Sequence, residues 1–273
     1  MESVGDRVGL AVGGGLIAVL ALLVGIVGSG DGSSQSLSSP VSTPPSVRSY
    51  GVTPTSSPVV RGERAGEADL AVVEGDEVVL IALDGTELGR GPRGDWYPSN
   101  PDRGVDLVPV EGGGWTITEA PERPATSGCG AMHVNEKLEV EVCGSEAEPG
   151  EIRVVAADNT TRLLTGPINP IGHWRYALPS PDGRWVLAQW SAECEVPVAY
   201  LFPTTGGPGR PVAEPYAETI AVGWTPDGQV IVGFMAGACG EGNEPGTYLV
   251  DPNTLGRHRI HPSYEATPIT PGA

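Results

Sequence analysis

Lysine is almost missing from this chain of 273 residues: Lys137 is the only one among 16 basic residues, which face 34 Asp and Glu for a net charge of −18. So little positive charge excludes a nucleic-acid binder that works by counterion release and disfavours contact with an anionic membrane surface. Catalytic signatures are missing too. There is no Gly-x-Ser-x-Gly nucleophile turn, no Gly-x-x-x-x-Gly-Lys phosphate loop and no His-Glu-x-x-His zinc motif, which leaves esterase, P-loop and zincin chemistry without support. No Cys-x-x-Cys pair is present, so dithiol redox chemistry has no carrier. Aromatics make up only 5% of the residues, with 2 Phe, 7 Tyr and 6 Trp. With 40 Gly and 27 Pro, this is the composition expected of a GC-rich bacterial coding sequence.

What is present begins with an apolar run. Residues 8 to 28 hold 21 positions without a charge, which as a helix would reach about 31 Å, the thickness of a bilayer core. The run predicts a transmembrane helix rather than a cleaved signal peptide, whose apolar core is shorter. Arg7 lies before it, and no Lys or Arg follows until Arg48. Positive-inside asymmetry therefore puts residues 1–7 in the cytoplasm as a stub and the rest outside, at the cell membrane as a single-pass protein. Of the 34 residues from 29 to 62, 23 are Ser, Thr, Pro or Gly, so this stretch reads as a disordered linker. The acidic and basic residues before position 63 cancel, so the full −18 falls on residues 63–273. That charge reads as solubility of an exported domain, or as attraction to a cationic partner.

Within that region the chain repeats itself. Ser180-Pro181-Asp182-Gly183-Arg184-Trp185-Val186-Leu187 returns 45 residues later as Thr225-Pro226-Asp227-Gly228-Gln229-Val230-Ile231-Val232, and each copy meets a cysteine 13 residues after its proline, at Cys194 and Cys239. Cys143-Gly144 to Pro149-Gly150 likewise parallels Cys239-Gly240 to Pro245-Gly246. Pro presets φ, Asp bonds its own backbone and Gly accepts φ > 0, so Pro181-Asp182-Gly183 and Pro226-Asp227-Gly228 read as structural turns between strands. Four strands in meander order every 45 residues predict a propeller blade. Units near 68–92, 94–123, 129–166, 172–213 and 217–262 predict an all-β fold of about five blades, some incomplete. The second unit rests on a degenerate copy, in which Trp96 to Arg103 repeats the order strand, Pro-Asp turn, strand. Residues 263–273 read as a loose tail.

The pattern apolar, x, Ser/Thr-Pro-Asp-Gly, x, x, apolar in Leu178 to Leu187 and Gly223 to Val232 resembles the repeats of TolB-like β-propellers. The resemblance implies an exported bacterial protein of the cell envelope that binds other envelope proteins, and a family that often has six blades.

The four cysteines allow three pairings and make sense as disulfides only in an oxidising space. A hairpin turn at Asn135-Glu136-Lys137 would set Cys129 directly opposite Cys143, leaving Cys194 to pair with Cys239. By loop entropy these closures are worth about 3 and about 4 kcal/mol. The thiols and His133, with His258 and His261, lack a convergent zinc geometry, because strand alternation turns residues three apart to opposite faces. Acidic clusters such as Glu74-Gly75-Asp76-Glu77 and Glu146-Ala147-Glu148 lack the ligand spacing of strong calcium sites. No catalytic residue, metal or other cofactor is expected.

The function expected is non-catalytic binding or scaffolding of an envelope protein or cell-wall glycan, through the face that carries the cysteine loops. Trp96, Tyr97, His133 and His173 are the candidate residues of that face. The alternative is a propeller-fold hydrolase or lyase acting on extracellular carbohydrate, which would need carboxylates or histidines to converge from several inner strands.

Overall fold

The structure is a computed structural model, and it describes residues 57–98, 104–119, 131–134, 137–145, 148–156, 158–164, 172–192, 196–213, 217–236 and 244–270. The expected transmembrane helix at 8–28 and most of the expected linker lie outside these residues. Among the described residues, no helix is long and apolar enough to cross a membrane.

The described chain is all-β. Strand β1 (Val59–Val60) comes first, followed by β2 (Leu70–Glu74), β3 (Glu77–Ile81) and β4 (Glu87–Pro92), then the hairpin of β5 (Val105–Pro109) and β6 (Trp115–Glu119). Three runs of four follow: β7 (Ala131–Val134), β8 (Leu138–Ser145), β9 (Glu148–Ala156) and β10 (Thr161–Leu164); β11 (Gly172–Pro179), β12 (Trp185–Ala192), β13 (Pro197–Pro203) and β14 (Arg210–Pro211); β15 (Thr219–Trp224), β16 (Val230–Phe234), β17 (Gly246–Val250) and β18 (Arg257–His261). Strand β19 (Ala266–Pro268) is last. They form five antiparallel sheets, ordered β7 to β10, β11 to β14 and β15 to β18 in plain meander, then β19-β2-β3-β4 and β1-β6-β5.

Central strands of the three middle sheets read as continuous apolar runs because those sheets are covered on both faces. In β12, Val186, Ala188 and Trp190 enter one core while Leu187 enters the next. In β3, Val78 and Leu80 go one way, Val79 and Ile81 the other. Period-two alternation thus feeds two neighbouring cores from one strand. Four such cores place the sheets side by side in the order β7–β10, β11–β14, β15–β18, β19-β2-β3-β4, β1-β6-β5. This is a propeller-like succession. Among the described residues, no core cluster joins the last sheet back to the first.

The 45-residue period is written into the contacts between sheets. Tyr176 donates its hydroxyl to the carbonyl of Ala221, its equivalent one repeat later, at 2.6 Å, and the indole of Trp224 donates back to Leu178 O at 3.0 Å. Both repeat turns carry the same hydroxyl-to-aspartate bond, and the first is one residue longer to the amide that closes it. Ser180 Oγ donates to Asp182 and accepts from the Trp185 amide, while Thr225 Oγ1 donates to Asp227 and accepts from the Gln229 amide. Gly183 and Gly228 sit at φ 72° and 87°, where a Cβ is penalised.

Burial raises the Asp182 carboxyl, but hydrogen bonds from Ser180 Oγ and from the Arg184 amide and side chain outweigh it and bring the pKa from 3.8 down to about 2. The folded chain therefore binds this proton less readily than the unfolded chain. The stability from this group is whole above pH 3.8 and drains as pH falls toward 2. Asp182→Asn is expected to flatten that acid limb in urea unfolding measured at stepped pH. A limb of unchanged slope would contradict this assignment.

Four expectations are corrected. The linker does not run unbroken to residue 62, since Val59 and Val60 pair with Thr116 and Trp115 and complete the β1-β6-β5 sheet. The region after 262 is not a loose tail: β19 pairs with β2, with Ala266 opposite Val72 and Pro268 opposite Leu70. Residues 94–98 form no strand, so the degenerate copy at Trp96 is no meander element; Val105 begins the first strand of its sheet instead of a second one. The β7–β8 register is shifted by one, because Ala131 rather than Gly130 lies opposite Val142. A one-residue slip reverses which face a side chain takes, so the argument that set Cys129 directly across from Cys143 does not hold.

Candidate binding site

Strand directions assign the loops to two ends of the sheets. The first strands β7, β11, β15, β19 and β5 all start at one end, where the turn at Glu74 to Glu77 and the loop after β4 also lie. Strands β12 and β16 end, and β13 and β17 begin, at this same end. The Pro-Asp-Gly turns lie at the opposite end.

At the first end, the loop after β4 is fastened by the Arg93 amide donating to Asp76 O (2.8 Å) and the Trp96 amide donating to Arg93 O (3.2 Å). The Arg93 guanidinium lies over the Tyr97 ring, 4.1 Å from its centroid. Tyr97 is 56% exposed, the most exposed of the large apolar and aromatic side chains among the described residues. Trp96 is instead half-buried and packs against the core between β19-β2-β3-β4 and β1-β6-β5. Its indole N–H and Arg93 Nε are buried with no hydrogen-bond partner among the described residues, an unusual state for polar atoms beside an open surface.

The segment between β18 and β19 adds Tyr264 to this loop. Burial raises the Tyr264 phenol above its ordinary range, and Glu265, Glu218 and Tyr97 raise it further by repelling the phenolate. Tyr264 thus stays a neutral hydroxyl donor within electrostatic reach of two carboxylates and a second phenol. Its backbone is held close to β16, since a Cβ on Gly233 would come 2.4 Å from Tyr264 O. The repeat equivalent of Gly233 is Ala188, so glycine here marks where this segment crosses the sheet.

Of the expected face, Trp96 and Tyr97 share one loop with Arg93, and Tyr264 lies within electrostatic reach of Tyr97, Glu218 and Glu265. His173 begins β11 at the same end, half-buried and opposite Ser191, and no described contact joins it to that group. His133 lies on β7 opposite Val140. Sequence reading missed Tyr264 because it fell in the expected tail, and no motif marks it. Cys143 is disulfide-bonded. Cys129, Cys194 and Cys239 lie outside the described residues, as does the expected pairing. Among the described residues, no three His, Cys, Asp or Glu side chains gather as a metal site would require.

No protein-family model matches the sequence, and no curated protein does. Among solved structures, the chain is similar to a protein of Agrobacterium tumefaciens assigned as TolB, at 18% identity and a TM-score of 0.34, over 57% of this chain and 53% of that one. It is also similar to puromycin hydrolase, at 16% identity and a TM-score of 0.31 over 69% and 38%, and to the S511A mutant of puromycin hydrolase complexed with PGG, at 15% and 0.33 over 72% and 40%. The chain spans about half the length of the first and about two fifths of the others.

Proposed function

We propose that the chain is a propeller-like binding module, held at a cell membrane by its N-terminal apolar segment, that engages an envelope protein or cell-wall glycan without catalysing a reaction. The observation that carries this reading is Tyr97, exposed and backed by Arg93 at 4.1 Å, beside Tyr264 and its carboxylate neighbours. A rigid aromatic face with a phenolic tip supplies large contact area at small entropic cost. Glu218 and Glu265 supply acceptors for hydroxyl or ammonium groups, and the net charge of −18 favours approach of a cationic patch.

The test places a photo-reactive residue at Asp95 and crosslinks intact cells. A reproducible partner is expected, with capture reduced at least about tenfold by Tyr97→Ala. An exposed side chain lost from the surface shifts stability by no more than ~0.5 kcal/mol, so the thermal midpoint stays in place. Capture that ignores Tyr97→Ala, or turnover of wall sugars by the isolated chain, would sink the reading.

A further inference from the structure

Two successive junctions between sheets are built on one plan at the Pro-Asp-Gly end. In each, an arginine of the outermost strand reaches a backbone carbonyl just past the third strand of the next sheet. Arg162 of β10 donates to Thr204 O at 3.1 Å, and Arg210 of β14 donates to the carbonyls of Pro252 and Asn253. The junctions differ at the first residue of the second strand, which is Leu138 in β8 and Trp185 in β12. The Trp185 ring lies under Arg210, with the guanidinium 5.1 Å from its centroid. Leu138 is too short to do the same under Arg162, and a cleft of about 230 Å³ opens there.

The lining of this cleft is chemically mixed. Leu138 and Val154 form an apolar wall, and Lys137, Arg162 and Thr160 are polar. Lys137 Nζ reaches Asp182 O at 3.1 Å. Gly183 stands beside it, where a Cβ would come 3.2 Å from the lysine stem. The one lysine of a chain carrying −18 is thus paired across a cleft with an arginine. A carbonyl fixes Arg162 without cancelling its charge. The Asp158 carboxylate, which Arg162 attracts, is turned to the amide and hydroxyl of Thr160 at 2.9 and 2.5 Å. The volume is below the ~300–1,000 Å³ of sites for drug-sized ligands, so the occupant is small.

We propose that this cleft binds a monosaccharide-sized sugar bearing an anionic group, a carboxylate or a phosphate, with the anion between Lys137 and Arg162 and the ring's C–H face on Leu138 and Val154. The site is separate from the Tyr97 end and stands whether or not that end binds a partner. Calorimetric titration of the full chain with glucuronate, glucose 6-phosphate, glucose and inorganic phosphate tests it.

At least one acidic sugar is expected to bind, about tenfold or more tighter than glucose and than phosphate alone, and which of the two binds better identifies the anion. Arg162→Gln is expected to weaken that binding about tenfold. Raising salt from about 0.1 M to about 1 M, which cuts the Debye length from ~10 to ~3 Å, should weaken it further. Leu138→Trp copies the neighbouring junction and should abolish binding; if it fails to fold, Arg162→Gln and Lys137→Gln still decide. Equal binding of phosphate and the sugars, or no binding of either acidic sugar, would overturn the proposal.

Discussion

A chain that stops at Pro262 is expected to lose its cooperative unfolding transition. The eleven residues removed include β19, which supplies the first strand of the β19-β2-β3-β4 sheet. Without it, the edge of β2 is bare along Leu70, Ala71 and Val72, each fully buried in the complete chain. Hydrogen bonds from Val73 N to Glu265 O, Ile269 N to Asp69 O and Thr270 N to Val105 O disappear, as does the Thr247 hydroxyl bond to Ser263 O. The isolated bridge of Val105 to Ile269, which ties this sheet to β5, goes as well. At ~1 kcal/mol per hydrogen bond, with the apolar burial of Ala266 and Ile269 added, the loss is on the order of 5 kcal/mol, comparable to the whole stability of a marginal domain at about 5–15 kcal/mol. Urea titration followed by tryptophan fluorescence and near-UV circular dichroism reads it directly. A truncated chain with the midpoint and slope of the full one would mean that β19 is an ornament.

Gln189→Leu is the second large effect, an expected loss of about 3–5 kcal/mol. Gln189 is 3% exposed on β12 and spans two sheets. Its amide donates to Trp190 O at 3.0 Å and Thr219 O at 3.2 Å, and its side-chain oxygen accepts from Ala221 N at 2.7 Å. Thr219, fully buried, continues the bridge by accepting from Ala199 N at 2.8 Å. Leucine ends one atom short of the amide but is no smaller in volume, so the expected damage comes mainly from polarity and not from a cavity. It strands the Ala221 amide and the Thr219 carbonyl in a dry junction, at ~1–3 kcal/mol for each unsatisfied group. A Leu variant within ~1 kcal/mol of the parent would show that the junction admits water or relaxes.

The reading of the chain succeeded where the physics is local. The two Pro-Asp-Gly turns are decided by residues within a few positions of one another, through fixed φ, Asx bonding and a glycine at φ > 0. The repeat then placed the strands between the turns, and the double coverage of β12 and β16 explains why their apolar runs are unbroken. Two of the failures share one cause. β1 and β19 pair with strands far away in the sequence, so nothing near Val59 or Ala266 announces an edge to be filled. The β7–β8 register depends on a turn that composition leaves ambiguous by one residue, and one residue changes which face Cys143 presents.

The candidate sites divide the same way. Tyr97 was visible as an aromatic beside turn residues and Arg93 stacks on it from the same loop, whereas Tyr264 comes within its electrostatic reach only because the segment before β19 returns to the end where β4 leaves its sheet. The cleft at Arg162 is further from the sequence still, since it exists through the difference between Leu138 and Trp185 at equivalent places in two junctions. Alone, the sequence determined the repeating unit, its turns, its acidity and its all-β character, because each follows from short-range backbone chemistry and composition. Only the tertiary structure decided which strands complete the sheets, which side chains share an end and where a cavity is left, because those depend on pairings across long stretches of chain whose entropy is recovered only when the neighbouring sheets pack.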